Sequence, residues 1–184
     1  MAHVSGSLVL MADYSWKNNS EIREGDKILG ADLKSATVVE TIIVSLGNKR
    51  VFSLLEKPYV RFNETDSLWA IDKNREWWWV ESAGPLTLEW QKNKIGLKIL
   101  DSIMVHYDVQ YATLNGFEKQ TVIDVSEEYS VHTTMPFFMT DRACPIIING
   151  QVVASGINEY IYDYTEFKWI DNYRKLKELM KEII

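Results

Sequence analysis

The sequence predicts an all-β domain that is followed by an amphipathic C-terminal α-helix. Short runs rich in Val, Ile and aromatic residues alternate with turn residues, as in proteins built from many short strands. Aromatic residues make up 12% of the chain, and they favour strands. No Gly or Pro follows Asp163, and apolar residues there recur at spacings of three and four. We therefore predict a β domain over residues 1–162 and a helical extension over residues 163–184.

Turn residues divide the first 162 residues into short strands. Gly25 can adopt a positive φ and so reverse the chain. The pair Gly47-Asn48 predicts a hairpin between residues 37–46 and 50–55, and Asn149-Gly150 predicts one within residues 145–153. Asn115-Gly116 predicts a further turn. The remaining predicted strands cover residues 7–11, 59–62, 68–71, 87–90, 98–109 and 120–125.

Three consecutive tryptophans, residues 77–79, form the most aromatic strand. Side chains on a strand alternate between its two faces, so these rings cannot all enter one core. Either Trp78 or its two neighbours point outward or into a second layer. Two interpretations follow: a strand between two packed layers, or a surface for a partner or ligand.

The C-terminal segment has the pattern of an amphipathic helix. Asp163 and Glu166 resemble a capping box, and the pattern covers about 18–20 residues. Two alternatives remain open: the apolar seam packs on the β domain of its own chain, or it docks to another subunit. The residues of this seam are Trp169, Tyr173, Leu176, Met180 and Ile183.

Composition excludes several classes of protein. The 184 residues carry 20 basic and 26 acidic side chains, a net charge of -6, which disfavours binding to nucleic acid or to anionic membranes. No apolar run approaches the length of a membrane span, and no signal-peptide pattern follows Met1. The single Cys144 cannot form an internal disulfide, and next to Pro145 we expect it to be a small buried residue.

Spacing alone predicts no catalytic or cofactor site. The three histidines share no metal-ligand spacing with one another or with Cys144. Gly25 and Gly30 lack the Gly-Lys-Ser/Thr ending of a phosphate loop, and there is no Gly-x-Ser-x-Gly element. We therefore expect no metal, no cofactor and no enzymatic activity.

One part of the chain resembles a known family. Residues 8–17 (LVLMADYSWK) and 21–30 (EIREGDKILG) resemble the opening block of Hint (Hedgehog/intein) domains, in which a strand and a turn precede Ile-x-x-Gly-Asp-x-x-Leu-Gly. Residues 62–69 (FNETDSLW) and 149–155 (NGQVVAS) resemble two later blocks in the same order. The resemblance implies a compact, all-β horseshoe over residues 1–155.

The resemblance also implies which residues would carry activity. Family members use a first Cys or Ser as nucleophile, a Thr and a His to polarise the adjacent amide, and a closing His and Asn. A carboxylate in place of the first His would accept rather than donate a hydrogen bond at neutral pH. The chain therefore resembles a degenerate, inactive member. The positions that correspond to the family's functional residues hold Ala2, Asn63, Asp66, Ala154 and Ser155.

A displaced self-cleaving site is the alternative within this family. Ser5 or Ser7 would be the nucleophile, with His3 or His132 as the base. The competing interpretation is that both serines form hydrogen bonds at the entry to the first strand.

We expect a structural or assembly protein that acts through self-association or protein partners. Intein-like modules occur in phage genomes, so the expectation is a component of a phage particle (tail, neck or capsid accessory), located in the virion or the host cytoplasm. The interface would comprise the helical seam and Trp78. The alternative is a peptide- or ligand-binding module with an aromatic groove around Trp77–Trp79.

Overall fold

A computed structural model describes residues 3–72, 77–81, 97–100, 103–106, 109–119, 121–142, 144–153 and 169–183. Within these ranges the chain forms sixteen strands and a C-terminal helix of 15 residues, α1. The all-β fold with a C-terminal helix is therefore confirmed. In chain order the elements are β1 Leu8–Leu10, β2 Trp16–Asn18, β3 Lys27–Leu29, β4 Ser35–Ser45, β5 Val51–Leu54, β6 Arg61–Asn63, β7 Ser67–Asp72, β8 Trp77–Glu81, β9 Leu97–Leu100, β10 Ile103–His106, β11 Val109–Thr113, β12 Gly116–Glu118, β13 Thr121–Asp124, β14 Thr134–Thr140, β15 Ile146–Ile148, β16 Gln151–Val153 and α1 Trp169–Ile183.

The described strands form three sheets. The largest has eight strands in the order β12-β11-β7-β16-β15-β1-β2, with β8 paired to β7. A second sheet has the order β6-β5-β13-β10-β9, and a third the order β14-β4-β3. The first strand of the chain lies beside β15, with Val9 opposite Ile148, so residues from both ends of the β domain meet in one sheet.

The predicted turns are correct where glycine or asparagine takes a positive φ. Asn149 and Gly150 have φ angles of 52° and 81° and join β15 to β16 as a tight hairpin. Gly25 has a φ of 92°. Gly116 begins β12 and also has a φ of 92°, which residues with a side chain rarely adopt.

The predicted hairpin around Gly47-Asn48 is wrong. β4 pairs with β14 and β3, whereas β5 pairs with β13 and β6. The backbone N–H of Gly47 donates to the carbonyl of Val131, which keeps the end of β4 beside the segment that precedes β14. The turn therefore carries the chain from one sheet to another.

Of the other predicted strands, one is wrong and one lies where the structure describes no residues. The single strand over residues 98–109 is wrong, because β9 and β10 are antiparallel partners with Leu100 opposite Ile103. The strand predicted over residues 87–90 lies outside the described residues. The strands predicted at residues 7–11, 59–62, 68–71 and 120–125 correspond to β1, β6, β7 and β13.

The helix α1 packs on the β domain of its own chain. Leu176 is fully buried in an apolar cluster with Leu10 and Trp69, and Tyr173 and Met180 pack against the same cluster. The Nδ2 of Asn172 donates to the carbonyl of Ala31 over 2.9 Å. The structure thus shows the first of the two packing alternatives for the seam.

The remaining residues assigned to an interface are Trp78, Trp169 and Ile183, and their side chains lie outside what the structure describes. The predicted capping box, Asp163 and Glu166, also lies outside the described residues. The described helix α1 begins at Trp169. No helix in the described part of the chain combines the length and apolar character that a membrane span requires.

An arginine from the far end of β14 holds the turn between β3 and β4. The guanidinium of Arg142 forms a bidentate pair with the carboxylate of Asp32 at 2.7 and 2.8 Å. It also donates to the carbonyls of Lys34 and Ser35. A Cβ atom added at Gly30 would lie 2.5 Å from Asp32 Oδ1 and 2.8 Å from Arg142 Nη2. The final glycine of the Gly-Asp-x-x-Leu-Gly element therefore leaves room for this ion pair.

We expect Gly30→Ala to lower the free energy of unfolding by about 1–3 kcal/mol, because the new methyl group displaces the ion pair. Urea unfolding followed by circular dichroism measures this change. Ser35→Ala, an exposed neighbour on the same turn, is the control and should change stability by less than about 0.5 kcal/mol. Equal midpoints for Gly30→Ala and the control would contradict the prediction.

Candidate functional site

Two of the positions that the family resemblance singles out, Asn63 and Asp66, lie beside the N-terminal segment that leads into β1. β6 ends at Asn63, a short turn follows, and Asp66 precedes β7. His3 enters this place from the N-terminal segment, with its Nδ1 3.2 Å from Asp66 Oδ1. His3 is 2% exposed and Asp66 is 0% exposed, so the pair is closed off from solvent.

Asp66 and Asn63 bind one another and thereby close the turn between β6 and β7. The backbone N–H of Asn63 donates to Asp66 Oδ2 over 3.0 Å, and the backbone N–H of Asp66 donates to the Asn63 carbonyl over 3.1 Å. Asn63 Nδ2 donates to Asp66 Oδ1 over 3.3 Å. Asn63 Oδ1 accepts hydrogen bonds from the N–H and the hydroxyl of Thr65. Both side chains are therefore committed to holding the backbone.

Asn19 holds the segment that carries His3. Its Nδ2 donates to the carbonyls of His3 and Val4, each over 3.1 Å, and its Oδ1 accepts from the N–H of Gly6 over 3.0 Å. Asn19 is buried, and its own N–H donates to the carbonyl of Ser7. One asparagine thus satisfies several backbone groups of residues 3–7, which fixes the approach of His3 to Asp66.

The imidazole of His3 makes an electrostatic contact with Asp66. Among the described residues neither ring nitrogen has a hydrogen-bond partner of good geometry, although Nδ1 lies within ion-pair distance of Asp66. The short distance between Nδ1 and the carboxylate is an electrostatic contact, since its geometry does not support a hydrogen bond. A buried ring nitrogen without a hydrogen bond is costly, so packing must keep His3 in this position.

The alternative nucleophiles are not joined to a base. The hydroxyl of Ser7 donates to the carbonyl of Val4 over 2.7 Å, and Ser5 is exposed in a turn. His132 is exposed in another turn, where its backbone N–H donates to Ser130 Oγ. Among the described residues, no hydrogen bond links either serine to His3 or His132. Ser7 forms the hydrogen bond that the strand-entry interpretation expects.

The closing block binds the opening strand. The side-chain Oδ1 of Asn149 accepts from the N–H of Leu8, and the N–H of Asn149 donates to the Leu8 carbonyl, both over 2.8 Å. Gln151, on β16, is fully buried, and its side-chain amide has no hydrogen-bond partner within the described part of the chain. The other positions that the resemblance singled out, Ala2, Ala154 and Ser155, lie outside the described residues.

Sequence reasoning found Asn63 and Asp66 but missed Asn19 and the contact between Asp66 and His3. Asn19 lies in the polar run 17–20, which looks like an ordinary turn. From the sequence, His3 is a candidate base for Ser5 or Ser7 and a histidine without metal-ligand spacing. No local pattern signals that it faces a carboxylate more than sixty residues away along the chain.

Cys144 is buried, as the sequence predicts, and it lies near the ion pair between Arg142 and Asp32. Burial raises the pKa of its thiol to about 11, from an ordinary value of 9.0. The thiolate is the nucleophilic form, so two pKa units lower its population at pH 8 by about a hundredfold. The structure gives Cys144 no feature of a reactive cysteine.

We therefore expect the native protein to react with a thiol reagent at least about a hundredfold more slowly than the unfolded chain at pH 8. The measurement is the rate of colour release from an aromatic disulfide, with and without guanidinium chloride. A native rate that matches the unfolded rate would show that Cys144 is accessible and contradict its buried position.

An open cavity of about 300 Å³ lies beside Leu8 at the start of β1, and neither His3 nor Asp66 lines it. Trp16 and Tyr59 are among its walls, and both rings are exposed large apolar groups. Lys57 Nζ, at the rim, pairs with Glu118 Oε2 over 2.8 Å. The cavity is lined by Leu8, Trp16, Lys57, Tyr59, Leu114, Asn115, Asn149 and Gly150.

Solved structures of similar architecture include inteins and an intein-like domain. A DnaB intein from Synechocystis sp. PCC 6803 matches 85% of this chain and 100% of its own length, with a TM-score of 0.53 and 10% sequence identity. A bacterial intein-like domain from Clostridium thermocellum covers 83% of this chain and 96% of its own length, with a TM-score of 0.50 and 17% identity. No family model and no curated protein matches the sequence. The chain therefore has the Hint-type fold of inteins and bacterial intein-like domains, as its opening block predicted.

Proposed function

We propose that this chain is a Hint-type module without self-cleaving chemistry that serves as a structural or assembly protein. The arrangement of Asp66 is the observation that carries the proposal. By the sequence resemblance, Asp66 corresponds to the family's polarising histidine. Its carboxylate is fully buried and contacts Asn63 and His3. A group committed in this way cannot donate a proton to a substrate amide.

The absence of a positioned nucleophile supports the same proposal. Attack on a backbone carbonyl needs a hydroxyl or thiol with a base in hydrogen-bond reach. The described candidates are Ser5, which is exposed in a turn, Ser7, which donates to a backbone carbonyl, and Cys144, whose thiol is buried and mostly protonated. No hydrogen bond joins any of the three to a histidine among the described residues.

An assembly role is supported by the surface of the β domain. Large apolar side chains are exposed on several strands and loops, and three of them, Leu8, Trp16 and Tyr59, line one cavity together. Contiguous exposed apolar groups mark contacts with other proteins. We further propose that the chain is a component of a phage particle (tail, neck or capsid accessory). The exposed apolar residues are Leu8, Trp16, Val39, Ile42, Ile43, Leu55, Tyr59 and Val131.

Intact-mass spectrometry tests whether the chemistry is absent. The full chain is expressed between two small folded proteins, so that cleavage at either end releases a fragment. We expect the uncleaved fusion after prolonged incubation from pH 6 to pH 9. Release of a fragment near residue 2 or 155 would overturn the proposal. Matched Ser5→Ala and Ser7→Ala fusions would then show whether the displaced serine site is responsible.

Mass spectrometry of purified particles tests the finer placement. We expect the chain in fixed stoichiometry with the proteins of particles released from the source cells. Its presence only in the soluble lysate would overturn the particle placement and leave the assembly role to other partners.

The cavity at Trp16 and Tyr59 favours a second candidate, a peptide- or ligand-binding module. Its volume and its mixture of aromatic walls with a few polar groups suit a small ligand or an extended peptide. Screening a peptide library against the wild-type chain and Tyr59→Ala tests this function. Binding that the variant abolishes would favour it over assembly.

A further inference from the structure

The outer half of β4 has a described neighbour on only one side. β3 pairs with Ser35, Ala36 and Thr37 at the start of β4, and β14 pairs with residues 38–45 along the rest. Beyond residue 38, none of the described strands lies on the side of β4 where β3 has ended. The strand therefore has an open edge in this part of the structure.

A β-bulge determines which residues present their backbone groups at this edge. Before the bulge, the Thr37 carbonyl accepts from the N–H of Asp141, on the β14 side. The register shifts between Met139 and Thr140, after which the N–H of Leu46 donates to the Thr133 carbonyl on that same side. The residues of β4 whose backbone groups face β14 are therefore odd-numbered before the bulge and even-numbered after it.

After the bulge, Ile42 and Val44 share the parity of Leu46 and bond to β14. The backbone N–H and carbonyl groups of Thr41, Ile43 and Ser45 consequently point to the open edge, because successive residues of an antiparallel strand alternate. All three residues are exposed, and Ile43 is 73% exposed. Ile42 is also 47% exposed, so apolar surface lies beside the edge.

The outer edge of β14 carries a proline that hinders strand pairing, whereas the open edge of β4 carries none. In β14, Met135 and Phe137 face β4, so Pro136 occupies an outward position, where it removes a donor and hinders strand addition. Residues 41–45 (TIIVS) contain no proline and no charge. They are β-branched apart from one serine, a composition that favours strand pairing.

Segment 41–45 is also complementary to itself. If two copies pair antiparallel about Ile43, then Ile43 lies opposite Ile43 of the second copy, and Thr41 lies opposite Ser45. Neither of these two residue pairs places like charges opposite one another. Thr–Ser pairs and pairs of β-branched residues are favourable across strands. A closed two-fold contact of this kind uses the same surface on both subunits.

We propose that the open edge of β4 pairs with the same edge of a second copy, forming a continuous sheet β14-β4-β4-β14 across a two-fold axis. This inference rests on the proposed assembly function and names its partner. The backbone groups of Thr41, Ile43 and Ser45 would bond across the axis. The apolar side chains beside them would lose contact with water.

Light scattering on the purified full chain tests the pairing. We expect a mass that rises with concentration toward twice 21.4 kDa. Ile43→Lys and Ile43→Glu should each weaken dimerisation at least about tenfold, since like charges then lie directly opposite. An equimolar mixture of the two variants should restore the dimer, because Lys then faces Glu. Leu55→Lys, an apolar residue with 56% exposure outside β4, is the matched control and should leave the mass unchanged.

Three outcomes would overturn the inference. They are a monomer at every concentration, a dimer that Ile43→Lys does not weaken, and a mixture that stays monomeric while each variant keeps the wild-type circular dichroism. A monomeric chain that binds an extended segment of another protein would overturn the second copy as occupant. The fusion experiment is independent of these: an uncleaved monomer contradicts only the pairing, and a cleaved dimer contradicts only the loss of chemistry.

Discussion

Replacing Asp66 with alanine is expected to lower the free energy of unfolding by about 3–5 kcal/mol. The carboxylate is fully buried, and it accepts from the backbone N–H and the Nδ2 of Asn63. Its removal leaves these donors without their acceptor and takes the charge partner from His3. Urea unfolding of the wild type and the variant, followed by tryptophan fluorescence, measures the change.

Two companion variants make this prediction specific. Asp66→Asn keeps an acceptor for the Asn63 N–H but lacks the negative charge. We therefore expect its free energy of unfolding to lie between those of the wild type and the alanine variant. Glu24→Ala removes a carboxylate that is exposed, and it should change stability by less than about 0.5 kcal/mol. A loss below about 1 kcal/mol for Asp66→Ala would show that the buried pair is not a structural centre.

Leu176→Asp is expected to detach α1 from the β domain. Leu176 is fully buried against a cluster that includes Leu10, Trp69 and Val152. The variant loses the burial of a leucine, about 2–5 kcal/mol, and would also have to bury a carboxylate without a partner. We expect loss of the helical signal near 222 nm and rapid proteolysis within α1, while the β domain unfolds at a lower denaturant concentration.

The control for this experiment places the same new carboxylate at an exposed position of the helix. Lys175 is exposed, so Lys175→Asp should leave both the helical signal and the proteolysis pattern nearly unchanged. The solution mass should not depend on either substitution, because Leu176 contacts its own chain. A change of mass with Leu176→Asp, with the helix still protected, would contradict this packing.

Local chemistry predicted turns better than it predicted strand partners. Asn149-Gly150 forms a hairpin because both residues tolerate the positive φ that this turn requires. Gly47 also has a positive φ, but the strands on either side of it belong to different sheets. Turn propensity describes the chain reversal itself and contains no information about the sheet that the next strand joins.

The helix and the candidate site show the same limit. The spacing of Tyr173, Leu176 and Met180 predicted the apolar face of α1 but could not distinguish packing within the chain from packing between chains. The resemblance identified Asn63 and Asp66 as substituted positions. That the two close a turn together, and that His3 fills the space beside them, depends on contacts between distant segments.

The meeting of both ends of the β domain in the largest sheet has a kinetic consequence. β1 pairs with β15, and β16 pairs with β7 and β11, so the sheet is completed only by residues 146–153. Sheets dominated by such distant pairings fold on a timescale of about milliseconds to seconds. During synthesis, β1 and β7 must wait for nearly the whole β domain to leave the ribosome before they gain these neighbours. Until then their apolar faces are exposed, so a nascent chain stalled before residue 146 would be a substrate for chaperones.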